Sequence, residues 1–443
     1  MGQRSAAFAA EASRLSAEYI EKARLLGHAD TPSSEQDVLL THFSVPSLDS
    51  FRPFPASTAE QRRRRAASFF NPPVAIRARL GQGLHDRGEA SVFAEYQLDD
   101  ADREALGHHL PLHVQAVSVA HKRVGPGETW DVSVRGDVWG LDDMEELYVV
   151  VNVGTLELAP GARLVVQGNV FTMICQRLIV HEPRADWQIG ILPTPHSVDY
   201  GDGPMDGADG VAGEVGSPGR HGHPVGVRET FVGPCLSRPV ESGQLDGGDG
   251  QQGGAGERGR HGRNGGMCKL ADIAIRELIG EATVFAQAGA GGNGGAGGDG
   301  GAGGDGGDAV AAPRLVGATL EHGRPGAGGP GGAGGDGGAA GSGGLASNIY
   351  LTIPDEAAAR LVCHSRPSTP GLPGAGGRGG VGGRAGSPLH TKERGPAGRD
   401  GRAGAPGRGR AAPWMFVNEI AVAGDGHPER QTELNEKQEE KTQ

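Results

Sequence analysis

The chain has 443 residues, 80 of them glycine, with aromatic residues at only 5% and a formal net charge of −12. That length allows two or three domains, but the apolar fraction of 36% is too low for a large conventional core throughout. The acidic balance argues against a general nucleic-acid binder, which would carry a basic surface.

At the N-terminus, Phe8, Ala12, Leu15, Tyr19, Ala23 and Leu26 recur at spacings of three and four. This pattern predicts one apolar face of a helix over 4–27. A Pro/Ser-rich linker follows at 44–57, closing an N-terminal region of 1–57. A mixed helical region is expected over 58–112, with a short helix at 58–69 whose Arg62–Arg65 run is read as a solvated face. The N-terminus has no apolar stretch of signal-peptide type, and Ala6 breaks the myristoylation pattern. No segment is long and apolar enough to span a membrane, so a cytoplasmic setting is expected, with signal-less export as the alternative.

From about 113 the chain becomes a series of short aliphatic strands punctuated by Gly, Asn and Pro-Gly: WDVSVRGDVWG, ELYVVVNVG, TLELAPGARLVVQGN and FTMICQRLIVHE. TLELAPGARLVVQGN has the form of one rung of a β-helix: strand, tight turn, strand, asparagine corner. A β-solenoid over 113–200 is the expectation.

From about 200 glycine falls at every third position in six runs: 207–222, 247–265, 289–307, 323–344, 371–386 and 395–407. Connections 223–246, 308–322 and 387–394 follow runs one, three and five. Aliphatic segments that look like further rungs follow runs two, four and six, the last at 411–424. The repeat is therefore a rung, a run going out, a turn and a run coming back.

Three alternatives fit less well. Collagen needs more proline and uninterrupted triplets. A flexible linker has no reason to keep phase three through six runs. A calcium-binding repeat needs a nine-residue period, with an apolar residue where Gly301, Gly307 and Gly338 stand. Period three is that of the polyproline-II helix, which rises ~3.1 Å per residue and makes no internal hydrogen bonds. The fold class expected is thus mostly β: a β-solenoid bearing an antiparallel bundle of six glycine-rich polyproline-II helices over 201–410, preceded by a small helical region. Gly292, Gly295, Gly298, Gly301, Gly304, Gly329, Gly332 and Gly335 are the expected contact glycines. Runs three and four often carry two glycines per triplet and should lie centrally.

This pattern resembles an architecture shared by the glycine-rich N-terminal domain of Obg-type GTPases, the snow flea antifreeze protein and phage tail-tip adhesins. The resemblance covers about 200–410 and implies a polyglycine-II bundle. The GxxxxGK[ST] motif of the GTPases is absent. Asp299, Asp305, Asp308, Arg378 and Arg384 point outward where an antifreeze face would be uncharged.

With the rungs at one end, the turns form the far tip. Connection 223–246 is longer than a turn needs, and long loops on rigid scaffolds often carry binding function. Arg228, Phe231, Cys235 and Arg238 are its candidate partner-binding residues. The alternative is a loop that merely covers the bundle end. Cys175 and Cys363 are read as core residues, and Cys268, a run length away from Cys235, cannot bridge to it.

His108, His109 and His113, and likewise His221 and His223, lack ligands at metal-site spacing. Asp199, Asp202, Asp206 and Asp209 depart from the EF-hand loop and are read as solvated. No metal or cofactor is expected. GxSxG, HExxH and Walker A motifs are absent. Asp142, Asp143, Glu145 and Glu146 form the densest acidic cluster of the solenoid, and are read as an exposed loop.

Two further features bear on partners. Residues 289–344 carry a net of −3 and 366–410 a net of +7. The polar tail 425–443 is expected to be mobile. The leading expectation is a non-catalytic structural or interaction module presenting hairpin tips to a protein or glycan. A carbohydrate-active β-helix enzyme and a self-assembling structural protein are the alternatives.

Overall fold

The computed structural model describes residues 17–28, 38–45, 112–135, 147–182, 186–195, 205–387 and 393–424. The part of the expected 4–27 helix before residue 17, the expected helix at 58–69, His108 and His109, the acidic cluster at 142–146, Asp199 and Asp202, and the tail 425–443 lie outside the described residues.

The described chain is mostly β, with a helix over 17–25 and a helical turn at Asp355–Ala358. Its strands are β1 (Leu39–Val45), β2 (Leu112–Val124), β3 (Thr129–Asp131), β4 (Leu147–Leu158), β5 (Arg163–Gln167), β6 (Val170–Val180) and β7 (Ile189–Leu192). They continue with β8 (Val227–Thr230), β9 (Gly233–Leu236), β10 (Ala271–Ile279), β11 (Ala282–Gln287), β12 (Ile349–Thr352), β13 (Leu361–Arg366), β14 (Met415–Val417) and β15 (Ile420–Ala423). One sheet runs β1-β2-β4-β6-β10-β12-β14-β15, a second runs β13-β11-β7-β5-β3, and β8-β9 form a hairpin. The ladders from β2 to β14 and from β3 to β13 are all parallel. Each strand of the large sheet from β2 to β12 is thus followed by one of the small sheet, and the next pair adds alongside.

Alternation along the strands explains the core. Val149, Val151 and Val153 of β4, Phe171, Met173 and Cys175 of β6, and Ile273 and Ile275 of β10 pack inward against Ile189, Ile191 and Val284 of the small sheet. Sequence reading splits β4 into ELYVVVNVG and TLEL, but the strand is continuous, and its inward phase shifts to Leu156 and Leu158 past Gly154. A side chain at 154 would overlap the carbonyl of Ala120, so glycine allows the bend. On the opposite face of the large sheet, Val114, Tyr148, Val150 and Leu270 pack with Leu26 and Val45. The helix buries Tyr19, Ala23 and Leu26, half of the apolar face proposed from spacing.

The asparagine corner is bonded at every polar atom. Buried Asn169 accepts from Val134 N–H (2.9 Å) and donates to the carbonyls of Val134 (2.9 Å) and Leu147 (3.2 Å). The final segment departs from expectation. β14 adds in parallel to β12 as the next strand of the large sheet, but β15 then turns back and pairs antiparallel with β14 around Asn418 and Glu419, whose φ values of 47° and 70° suit a tight hairpin turn. Asn418 also locks that turn to Ile353 N–H and C=O and to Asp355.

The glycine runs contain no α-helix and none of the named strands. Run one leaves after β7 and run two returns to β10; runs three and four join β11 to β12; runs five and six join β13 to β14. Their hydrogen bonds are lateral and recur every third residue. Gly254 N–H donates to Glu214 (run two to one), Gly213 to Asp299 (one to three) and Gly256 to Ala333 (two to four). Gly301 donates to Gly254, Gly300 to Arg378, Gly332 to Gly301, Gly334 to Arg399, Gly380 to Gly332 and Gly398 to Gly380, all at 2.7–2.9 Å. These links define two layers, runs one, three and five against two, four and six. Runs three and four each bond to four neighbours, and they are the runs richest in paired glycines.

All eight expected contact glycines are buried. A Cβ at any of them would come closer than 3.0 Å to a backbone carbonyl, that of Met205 just before run one for Gly292 and of another run for the other seven, for example Glu257 for Gly335.

Candidate partner-binding tip

At the far end of the bundle the connections after runs one and three meet. Leu245 is buried there, and its carbonyl accepts Val310 N–H (2.9 Å), while Gly323 N–H bonds to Val310 (3.1 Å). These bonds close the rod ends. Beyond them, β8 and β9 form a separate hairpin fastened at its base by Ser237 N–H to Gly226 (2.9 Å).

The hairpin's two-residue turn is Phe231-Val232. Thr230 Oγ1 donates to the carbonyl of Gly233 (2.7 Å), a residue at φ 115°. Phe231 is fully exposed and Val232 is 56% exposed. Burying a phenylalanine typically yields ~1.5–3 kcal/mol, and this ring receives none of it.

Of the candidate residues, Arg228 and Cys235 are opposed across the hairpin and share a face, and Phe231 stands at its apex. Thr230 Oγ1 lies 3.7 Å from the Cys235 sulfur. Arg238 is exposed beyond the end of β9 and is not part of this group. Sequence reading missed Val316. It comes from the second connection, bonds through its N–H to Pro234 (3.0 Å), and is 50% exposed beside Gly233. Only a Leu-Val pair flanked by Arg314 and Gly317 hinted at it.

The thiols divide sharply. Burial pushes Cys175, Cys268 and Cys363 up to about 12, outweighing the backbone hydrogen bonds that oppose it at Cys175 and Cys268. No disulfide links the four cysteines. A thiolate-selective alkylator at pH 8 should label the native protein only at Cys235, and labelling of all four should require denaturant. Peptide mapping after a short pulse checks this, and early modification of Cys268 would contradict the packed base of run two.

The aspartates read as solvated have a structural task. Asp206 and Asp209 accept the N–H groups of Asn293 and Ala296, each at 2.6 Å. Asp299 and Asp305 accept those of Arg378 (2.7 Å) and Arg384 (2.6 Å), and Asp336 that of Arg402 (2.7 Å). His221 and His261 do the same through Nδ1 for Asp308 (3.0 Å) and Ala339 (2.7 Å). A short acceptor side chain on the outward residue of one run thus satisfies a backbone donor of the next run in its layer. At Asp299, Asp305 and Asp336 the signal was legible as the recurring Gly-Gly-Asp triplet.

Other titratable groups are engaged. Burial would raise Glu157, but hydrogen bonds from His181 and His121 and the charge of Arg123 hold its carboxyl below the ordinary value. His113 stacks on His42, ring centres 6.3 Å apart. Among the described residues no group of three His, Cys, Asp or Glu is placed to hold a metal ion, and no helix is long and apolar enough to cross a membrane. Comparison with protein families, curated proteins and solved structures finds no match to this chain.

Proposed function

We propose that this chain is a non-catalytic interaction module that holds an apolar hairpin tip away from a β-solenoid on a bundle of six polyproline-II-type helices. The solenoid reading is supported by two parallel ladders built from alternating strands. The polyproline-II reading is supported by lateral hydrogen bonds repeating every third residue between strictly phased glycine runs.

The observation that carries the functional reading is Phe231, fully exposed at the apex of a hairpin whose backbone is tied down on both sides. Rigid aromatic anchors at the centre of small apolar patches dominate recognition. The partner is a protein or glycan surface with an apolar pocket.

The test compares the intact protein with Phe231→Ser and with a form in which 225–246 is replaced by a short Gly-Ser turn. Partners are captured from native-host lysate and on glycan arrays. Phe231→Ser should weaken binding by ~2 kcal/mol or more, roughly 30-fold, and leave thermal stability unchanged. Identical partner sets for all three proteins would reject the tip as the binding element.

A further inference from the structure

The segment 17–28 crosses the outer face of the large sheet. Its helix is closed by Gly27 at φ 87°, with His28 N–H bonded to the carbonyl of Ala23 (2.8 Å). Polar ties reach it from three strands. Arg276 of β10 lies 3.6 Å from Glu18, Asn152 of β4 donates to the carbonyl of Tyr19 (3.1 Å), and Ser118 of β2 meets His28 Nδ1 (2.7 Å). Strand β6 runs between β4 and β10, so its outward Ile174 and Gln176 lie beneath the helix.

This contact is poorly matched. The helix brings only three buried apolar side chains to it, Tyr19, Ala23 and Leu26. Both amide atoms of Gln176, Oδ1 of Asn152, Oη of Tyr19 and Nε2 of His28 are buried without a hydrogen-bond partner among the described residues. Each carries a desolvation penalty that water cancels once the contact opens. Lys22 is buried too. Burial foremost, and then the charge of Arg276, lower its pKa to about 8, against the opposing pull of Glu21 and Glu18.

We infer that segment 17–28 is a strap that detaches while the solenoid stays folded, uncovering the outer face of β4, β6 and β10. So short a helix has little stability of its own in water, and the released segment unfolds. Lys22 ties the opening to pH. Its proton is held more tightly in the open form, so opening is most favoured below about 8 and weakens as pH rises towards the free value of 10.5. His28, lowered by burial, acts in the same direction around its free value of 6.5. Tyr19, raised by burial, opposes Lys22 only near and above its free value of 10.0.

Amide hydrogen exchange of the full chain tests this, read as protection relative to a free peptide of the same sequence at the same pH. At about pH 7 the amides of Leu26 and His28 should be ~100-fold or more less protected than that of Phe171 in β6, which bonds to Leu270 (2.9 Å). Raising the pH to about 9 should increase their protection by about tenfold. Lys22→Met should give at least that increase without any change of pH and should abolish the pH response. Gln176→Leu should raise protection about fivefold, because it removes two unbonded polar atoms. Leu26 and His28 as well protected as Phe171 would mean that the helix leaves only when the whole chain unfolds. Lower protection in Lys22→Met, with Phe171 unchanged, would mean that Lys22 anchors the helix. Either result overturns the proposal, as does protection in the unmodified protein that stays flat or falls over the same pH rise.

Discussion

Replacing Gly335 by alanine should cost about 4 kcal/mol or prevent folding, although alanine adds a single methyl group. Overpacking typically costs ~1–3 kcal/mol, and here the backbone has nowhere to retreat. Gly335 N–H is bonded to Gly298 (2.8 Å), and its carbonyl accepts Gly377 N–H (2.9 Å). Its new Cβ would enter the carbonyl of Glu257. Pushing run two aside would stretch the bonds from Gly256 to Ala333 (2.8 Å) and from Gly259 to Asp336 (2.9 Å), each worth ~1 kcal/mol. The outward Ala333→Ser should change stability by no more than ~0.5 kcal/mol. Denaturant melts of both variants measure the contrast. A loss below 1 kcal/mol at Gly335 would mean that the runs are not closely packed.

Asn169→Ala should cost about 3 kcal/mol. The side chain is 4% exposed and meets one donor and two acceptors on the neighbouring backbone. An orphaned buried backbone group costs ~1–3 kcal/mol, and alanine would leave three, only partly reachable by water. Asn169→Asp restores the acceptor for Val134 N–H but neither donor, so it should not rescue stability. The readout is again a denaturant midpoint with unchanged slope. An aspartate variant as stable as the parent would show that the two carbonyls already have other partners.

The glycine phase was readable because close approach of backbones leaves one allowed residue type. Each Gly in the core of the bundle meets a carbonyl of another run. The corner at Asn169 was equally legible, since a buried asparagine after Gly168 has few uses. The hairpin at Asn418-Glu419 was not. IAVA has the same aliphatic character as a rung strand, and two positive φ values at non-glycine residues leave little trace in composition. Val316 was hidden for a different reason: its place beside Gly233 depends on how two connections far apart in sequence meet. The helix face was recovered at Tyr19, Ala23 and Leu26 because periodicity alone carries it.

The lateral bonding of the runs also sets a timetable for the growing chain. Donors of run one, from Gly207 to Gly222, find their acceptors between Asn293 and Asp308. At a synthesis rate of ~5–20 residues per second, the ribosome needs on the order of ten seconds to supply them. Through that interval run one has one of its two neighbours and run two one of its three, and run three waits likewise for run four. A fragment ending after run two is therefore an unfinished edge whose backbone seeks partners from any similar chain nearby. Only the emergence of runs five and six, near the C-terminus, gives runs three and four their full set of neighbours.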